Sequence, residues 1–182
     1  MPGRNLYYPP GQAAPFRKSE SLEAASKICV FISHKREDIR IARAVGKELK
    51  KLEINIWLDV EDPISRLAVL LGSDLDLAKA IERGIIRSTH LLALISSKTK
   101  ESWWVPFEIG CARGRKKELT FFIHEEVEDL PEYLTFGRTI LDKYDFYKWA
   151  KKISPERPIT EMLAKARQSS PDNPLDGLLP DF

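Results

Sequence analysis

An aromatic side chain and a carboxylate stand four positions apart in the segment Ser102–Ala112, where Trp104 precedes Glu108. On a helix these two side chains lie one above the other on the same face. A helix is indicated because Ser102 is a good N-cap and Pro106 falls near the first turn, where its missing N–H costs little. A carboxylate beside a flat ring can hold a planar, sugar-linked ligand. Taken alone, however, the pattern favours a surface glutamate on a helix packed against the core.

Five short apolar runs, separated by amphipathic segments, form the framework that must position this pair. Continuous apolar residues are typical of strands buried on both faces. The predicted strands are Ile28–Ser33, Ile54–Asp59, His90–Ser96, Leu119–Ile123 and Thr139–Leu141. Apolar residues at helical spacing predict helices. These are Asp38–Lys51, Asp74–Arg87, the segment that carries Glu108, Phe146–Ile153 and Ile159–Arg167.

This alternation predicts an α/β fold in which a five-stranded parallel sheet, with helices on both faces, is connected by right-handed crossovers. In such sheets, ligands bind at the carboxyl ends of the strands. Candidate binding residues are therefore those that leave these ends. They lie in Ser33–Arg36, Asp59–Gly72, Ser96–Trp104 and His124–Leu130, after the first four strands in turn.

The composition is that of an ordinary globular protein, in which 182 residues suffice for one domain with a sizeable core. Basic residues number 29 and acidic residues 27, so neither nucleic acid nor a membrane is an expected partner. No stretch approaches the ~20 apolar residues of a transmembrane helix. Cys29 and Cys111 lie in apolar segments and are expected to be buried and reduced, in a cytoplasmic protein. The three histidines lack paired spacing, and no metal site is expected.

The two ends of the chain differ from its middle. Residues 1–26 contain prolines and small polar residues without hydrophobic periodicity, and they lack the apolar run of a signal peptide. A flexible N-terminal arm is predicted there, and a flexible C-terminal tail is predicted at 169–182. A single domain is expected to span 27–168.

Missing motifs exclude several common functions of parallel α/β sheets. The chain has no GxGxxG after its first strand and no GxxxxGK[ST], so neither a dinucleotide fingerprint nor a P-loop is present. The nucleophile elbow GxSxG is also absent. Ser33–Arg36 is basic rather than acidic, which excludes the magnesium site of a response-regulator receiver.

A series of short motifs, in order along the chain, nevertheless resembles one known family. It comprises Val30-Phe31-Ile32-Ser33-His34, Trp57-Leu58-Asp59, Gly72-Ser73-Asp74-Leu75, Ala80-Ile81 with Ile85 and Ser88, and Ser102-x-Trp104-x-x-x-Glu108-Ile109-Gly110-x-Ala112. Together these motifs are similar to those of bacterial TIR (Toll/interleukin-1 receptor) domains over about residues 27–153. The resemblance implies a flavodoxin-like sheet with strand order 2-1-3-4-5.

For many bacterial and plant members the resemblance also implies cleavage of NAD⁺, and Glu108 falls at the position of their essential glutamate. Breaking the bond between ribose and nicotinamide passes through an oxocarbenium-like sugar, and nicotinamide leaves as a neutral molecule. No general acid is needed, so the two carboxylates of O-glycosidases are not required. One carboxylate can bind the ribose hydroxyls and stabilise the developing positive charge. NAD⁺ is then the substrate, and no cofactor is expected.

The resemblance extends to aromatic and acidic residues around the same cleft. Trp104 matches an aromatic position that shapes the nicotinamide side of the pocket, although it could also pack in the core. Of the adjacent pair, register with Glu108 favours Trp104 for the pocket and leaves Trp103 for the core. Trp57 and Asp59 match residues that flank the cleft. A purely structural role is equally open for Asp59.

The basic segment after the first strand is the other implied contact with NAD⁺. Ser33, His34, Lys35 and Arg36 are expected to meet the ribose or the phosphates, because they supply hydroxyl and cationic donors at the carboxyl end of a strand. For Arg36, a solvated basic loop is an equal alternative.

The loop Asp59–Gly72 corresponds to the BB loop of the family, which covers the site and joins neighbouring TIR domains. Here it departs from the usual short polar loop, because Asp62-Pro63-Ile64-Ser65-Arg66 is followed by the apolar run Leu67–Leu71. An exposed apolar run is typical of a contact surface. A homo-oligomer that associates through residues 59–72 is therefore expected.

Two classes of function follow from the resemblance. In the first, the protein is an NAD⁺ glycohydrolase or cyclase that releases nicotinamide with ADP-ribose or a cyclic isomer. It is then similar to the stand-alone TIR proteins of bacterial antiphage systems such as Thoeris, where a separate effector protein senses the product. In the second class, it is a non-enzymatic adaptor that acts by association between TIR domains. Trp104 together with Glu108, which adaptors often lack, favours the enzyme.

Overall fold

The computed structural model describes residues 28–125, 127–155 and 159–168, which form a five-stranded parallel sheet flanked by helices. The strand order is β2-β1-β3-β4-β5, so the predicted α/β class and the order 2-1-3-4-5 are confirmed. The expected arm at 1–26 and tail at 169–182 lie outside the described residues. Among the helices described, none is long and apolar enough to cross a membrane.

All five predicted strands are present, each within two residues of its expected bounds. β3 is buried along its whole length, as expected for a central strand between two layers of helices. The strands are β1 Cys29–Ser33, β2 Asn55–Trp57, β3 His90–Ile95, β4 Glu118–Ile123 and β5 Arg138–Ile140.

The described part of the chain has six α-helices. They are α1 Ile39–Lys51, α2 Pro63–Leu70, α3 Asp74–Arg87, α4 Trp104–Gly114, α5 Lys143–Ile153 and α6 Thr160–Gln168. α5 begins three residues earlier than the sequence indicated because Asp142 caps it. The carboxylate of Asp142 accepts a hydrogen bond from the N–H of Asp145 over 2.7 Å.

Two apolar layers cover the faces of the sheet, because successive side chains of each strand point in opposite directions. On one face, Val30 and Ile32 pack with α1, α5 and α6. On the other face, Phe31 and Cys29 pack with α3 and α4. Cys111 is only half-buried, so the expectation that both cysteines are buried is wrong for Cys111. It lies on α4 at a position that is partly open to solvent.

The segment after β2 contains a helix where the sequence analysis predicted a loop. Asp62 starts α2 by accepting hydrogen bonds from the N–H and the hydroxyl of Ser65, over 3.0 and 2.9 Å. Pro63 occupies the first turn, where its missing N–H costs little. Asp62 also pairs with Arg83 of α3, with 2.9 Å between Oδ2 and Nη2. Asp62 followed by Pro63 is itself a helix-start signal, so the loop prediction overlooked a feature visible in the sequence.

Trp57 anchors α3 to the sheet and is completely buried. Its indole ring lies so close to Gly84 that a Cβ at position 84 would come within 2.4 Å of Nε1. The helix can therefore approach β2 this closely only with glycine at the contact.

Replacing Gly84 with alanine should destabilise the fold, because the added methyl group overlaps the indole of Trp57. Overpacking of this kind costs about 1–3 kcal/mol, and each kcal/mol lowers the Tm by about 2–4 °C. Thermal denaturation followed by circular dichroism measures the effect. Gly110→Ala on α4 is the matched control, since a Cβ there meets nothing within 4 Å. Alanine at that position should stabilise the helix by about 0.5–1 kcal/mol. Equal losses of stability in both variants would contradict the packing role of Gly84.

Candidate active site

α4 carries a glutamate to the carboxyl end of β1. The N-cap of this helix is Trp103, one residue after the predicted Ser102, but the hydroxyl of Ser102 does accept a hydrogen bond from the N–H of Val105 over 3.2 Å. Glu108 follows one turn later and is 3% exposed. This burial excludes the alternative of a surface glutamate. Ionisable side chains are rarely buried to this degree unless they are paired, so a polar partner is expected.

Ser33 is the polar partner of this buried carboxylate. It is the last residue of β1 and is 1% exposed. Its hydroxyl donates a short hydrogen bond to Oε2 of Glu108. Within the described residues this is the only hydrogen bond to the Glu108 side chain.

Two more titratable side chains border the carboxylate from neighbouring strand ends. Asp59 follows β2 and His34 follows β1, with 3.8 Å between Oδ1 and Nδ1. This separation exceeds hydrogen-bond distance. Over the ranges that the structure describes, neither ring nitrogen of His34 nor Oδ1 of Asp59 has a hydrogen-bond partner, although all three atoms are buried. Buried polar atoms are usually hydrogen-bonded, so these three atoms mark a polar group whose hydrogen bonding is incomplete.

Burial raises the pKa of Glu108 well above its usual range, and the negative charge of Asp59 raises it further. The hydrogen bond from Ser33 favours the ionised form but does not offset burial. Burial also raises the pKa of Asp59, against the opposing effect of His34. A site with two carboxyl groups held toward their neutral forms favours a cationic ligand, because positive charge stabilises their ionised forms.

The two adjacent tryptophans of this helix differ in their surroundings. Trp104 lies one turn before Glu108 and packs half-buried against the apolar layer of α3 and α4. Trp103 is 91% exposed, so the expectation that it belongs to the core is wrong. The reason is the helical register: Val105 and Ile109 fill the core side of α4, and Trp103 falls on the opposite side.

The other predicted site residues lie outside the group formed by Ser33, His34, Asp59 and Glu108. The ammonium of Lys35 pairs with Glu101 at 2.8 Å and links the connection after β1 to the segment before α4. Arg36 is exposed, whereas Trp57 is completely buried in the core. The structure thus brings together Ser33, His34, Asp59 and Glu108, with Trp104 one helical turn away.

A second buried polar group occupies the other face of the same sheet edge, and the sequence analysis included its Ser96 and His124 in the candidate ranges but not Asp38. The hydroxyl of Ser96 donates to Oδ2 of Asp38 over 2.7 Å. Ser96 and Thr99 also form a capping box at the start of a 3-10 helix, Ser97–Glu101. Nε2 of His124 is 4.0 Å from the same oxygen of Asp38, and burial lowers the pKa of His124. Ser96 and His124 both follow strands, and this position was the signal in the sequence that identified them. Their contacts with Asp38 connect the start of α1 to β3.

A cavity of about 370 Å³ opens beside α4 but away from Glu108. Its wall includes Pro106, which is two positions from Glu108 and therefore projects from a nearly opposite side of the helix. In the part of the chain that is described, no group of three or more His, Cys, Asp or Glu side chains is arranged to hold a metal ion.

The chain is similar to proteins of known family and known structure. The family model described as TIR domain matches residues 30–166. No curated protein matches the chain. Among solved structures, the TIR domain of the Toll-related receptor TRR-2 from Hydra magnipapillata aligns with a TM-score of 0.49 and 14% sequence identity. That alignment covers 76% of this chain and 98% of the Hydra chain.

Glu108→Gln should raise the Tm at pH 8, because it removes a buried carboxyl group whose pKa is raised by folding. Below the unfolded pKa of about 4.3, the carboxyl is protonated in both states and its ionisation costs no stability. The cost grows as the pH rises through the folded pKa, so the gain in the variant should be several degrees at pH 8 and vanish near pH 4. Calorimetry at the two pH values measures this. Glu161→Gln, on the exposed surface of α6, is the control and should show no such gain. A gain of equal size at both pH values would contradict an electrostatic origin.

Proposed function

The chain belongs to the TIR domain family, whose model matches residues 30–166, and we propose that it cleaves the nicotinamide–ribose bond of NAD⁺. The products are nicotinamide and either ADP-ribose or a cyclic isomer of it. The observation that carries the proposal is the buried carboxylate of Glu108, hydrogen-bonded to Ser33 at the carboxyl end of β1. Parallel sheets bind their ligands at this end.

The electrostatics of the site suit the charge of this substrate. The nicotinamide ring of NAD⁺ is cationic, and the positive charge moves to the ribose as the glycosidic bond breaks. Glu108 is ionised only at a cost while the site is empty, because burial and Asp59 both raise its pKa. A bound cation offsets that cost, so that substrate binding favours the ionised carboxylate. Electrostatic stabilisation of this kind is strong in a site that excludes water.

The hydrogen bond from Ser33 positions the carboxylate for this role. It holds Oε2 toward β1, which leaves Oε1 for a ribose hydroxyl. Glu108 then accepts a hydrogen bond from the sugar and stabilises the oxocarbenium-like transition state beside it. Nicotinamide leaves as a neutral molecule, so no second carboxyl group must act as a general acid.

The residues around Glu108 have complementary roles in the proposed complex. The unpartnered ring nitrogens of His34 and Oδ1 of Asp59 pair with polar groups of the ribose. Trp104 forms the wall of the pocket on the nicotinamide side, one helical turn from Glu108. Lys35 and Arg36, which follow β1, meet the phosphates. Trp57 supports the site from the core rather than touching the substrate, because it is completely buried.

The decisive experiment is incubation of the purified protein with NAD⁺, with the products identified by mass. Glu108→Gln keeps the size of the side chain and a group that can accept from Ser33, but it removes the negative charge. Its rate of nicotinamide release should fall about 10²–10³-fold, the usual loss when one stabilising group of a transition state is removed. Glu161→Gln, which alters a remote exposed carboxylate, should retain the full rate.

Nicotinamide release that is unchanged in Glu108→Gln would refute the proposed role of this residue. Absence of release from the unsubstituted protein, under conditions in which it is folded and self-associated, would favour the second function class. In that class the domain is an adaptor that acts only through contacts with other TIR domains.

One observation favours association between copies under either class. The inner side of α2 is buried through Ser65 and Ala68, whereas Leu67, Leu70 and Leu71 are 53%, 80% and 69% exposed. Adjacent exposed leucines are typical of a contact surface. We propose that residues 59–72 join one copy of the chain to the next and thereby form a homo-oligomer.

Leu70→Glu should weaken this association, because it puts a charge at the most exposed apolar position of α2. Sedimentation velocity across a range of concentrations should show a shift from oligomer to monomer. Leu141→Glu is the matched control, since Leu141 is 55% exposed but lies after β5. Identical sedimentation of Leu70→Glu and the unsubstituted protein would contradict an interface at α2.

The proposed product is a signal in bacterial antiphage immunity, sensed by a separate effector protein. Free thiols at Cys29 and Cys111 are consistent with the cytoplasmic location that this role requires. The same incubation with NAD⁺ distinguishes linear from cyclic products by their masses, because hydrolysis adds one water molecule and cyclisation does not.

A further inference from the structure

A second concave site lies at the amino-terminal edge of the sheet, opposite the edge that carries Glu108. Here a cavity of about 260 Å³ is bounded by the starts of β3, β4 and β5 and by the end of α5. This volume is below the range of about 300–1,000 Å³ that is usual for drug-sized ligands. A dinucleotide is too large for this cavity, whereas a small metabolite fits.

The register of the sheet explains why polar side chains line this cavity. His90 of β3 is paired with Glu118 of β4, and Thr120 of β4 is paired with Arg138 of β5. Side chains two positions apart on a strand share a face, and paired residues of adjacent parallel strands do so as well. All four side chains therefore project from one face of the sheet, the face covered by α5.

Two cations stand at this cavity without a partner. Arg138 is half-buried on β5, and Lys152 is exposed at the rim of the cavity, in the last turn of α5. Over the described ranges, neither side chain takes part in an ion pair or a hydrogen bond. Unpaired arginine and lysine side chains at a concave surface favour an anion, and the planar guanidinium binds phosphate oxygens in pairs.

The other polar groups of the cavity restrict the kind of anion. Nδ1 of His90 is held by the hydroxyl of Thr89 at 2.8 Å, which leaves Nε2 as its remaining polar atom. Glu118 is the one acidic side chain in the lining. A bare anion would be repelled by Glu118, whereas a ligand that also carries hydroxyl groups can donate hydrogen bonds to it. Two cations and one carboxylate in the same lining further favour a dianion over a singly charged carboxylate ligand.

We propose that this cavity binds a small phosphorylated sugar. The phosphate lies between Arg138 and Lys152, and the sugar hydroxyls bond to Glu118 and to Nε2 of His90. Trp149 forms the apolar floor against which the sugar rests. The site does not include Glu108 or any residue of the proposed NAD⁺ site, so it stands independently of the function proposed above.

Isothermal titration calorimetry with ribose 5-phosphate tests the proposal on the full chain. The expected result is binding that is at least tenfold tighter than that of inorganic phosphate, with ribose alone giving no measurable binding. Arg138→Gln and Lys152→Gln should each weaken the binding of ribose 5-phosphate tenfold or more. Lys148→Gln, on the same helix but with its ammonium already paired with Asp145 at 3.3 Å, should not change it.

Glu118→Gln separates a phosphorylated-sugar site from a simple anion site. It should weaken the binding of ribose 5-phosphate, because the stronger acceptor for the hydroxyls is lost, and it should strengthen the binding of inorganic phosphate. Thermal denaturation of each variant establishes that it is folded. Equal affinity for ribose 5-phosphate and inorganic phosphate would overturn the inference. Absence of ribose 5-phosphate binding at millimolar concentration, or binding unaffected by Arg138→Gln, would also overturn it.

Discussion

The hydrogen bond between Ser33 and Glu108 is the contact on which the candidate active site depends. It joins the last residue of the interior strand β1 to the second turn of α4, and it lies where water is excluded. A buried carboxyl group beside a second one destabilises the folded protein when no ligand is bound. The raised pKa of Glu108 reflects this cost in free energy. The two apolar layers of the sheet offset it. Such local cost is typical of sites whose electrostatics are arranged for a ligand rather than for stability.

The two faces of the same sheet edge have different roles, although both are lined by buried polar residues. On the face of α3 and α4, His34 and Asp59 keep polar atoms without partners in the described structure. On the other face, Asp38 accepts a hydrogen bond from Ser96, whose N–H is in turn bonded to the hydroxyl of Thr99. These hydrogen bonds stabilise the corner between β1 and α1, although Nε2 of His124 on this face is likewise buried without a hydrogen-bond partner. The candidate site differs from this second group in holding two buried carboxyl groups, Asp59 and Glu108, whose pKa values are raised by burial.

The short helix α2 combines a fixed start with an exposed apolar side. Asp62 is 1% exposed and binds both Ser65 and Arg83, so it attaches the helix firmly to α3. Leu70 and Leu71 then project from a rigid element rather than from a loop. A helix held in this way loses less conformational entropy on association than a flexible loop does. The attachment therefore suits the proposed contact between copies better than the loop that the sequence first indicated.

The sequence by itself determined the strands and the helix that carries Glu108, because local patterns govern these features, whereas the strand order was implied by the resemblance to a known family. Alternating apolar runs and helical spacing specify element types, and the motif series from Val30 to Ala112 indicated the family. Tertiary structure alone decided the environment of each side chain. Four features depend on which elements pack together. They are the burial of Glu108, its hydrogen bond to Ser33, which is 75 positions away, the exposure of Trp103 and the burial of Trp57. Burial and hydrogen bonding set the electrostatics of a carboxyl group, and both arise from contacts between residues that are distant in the chain.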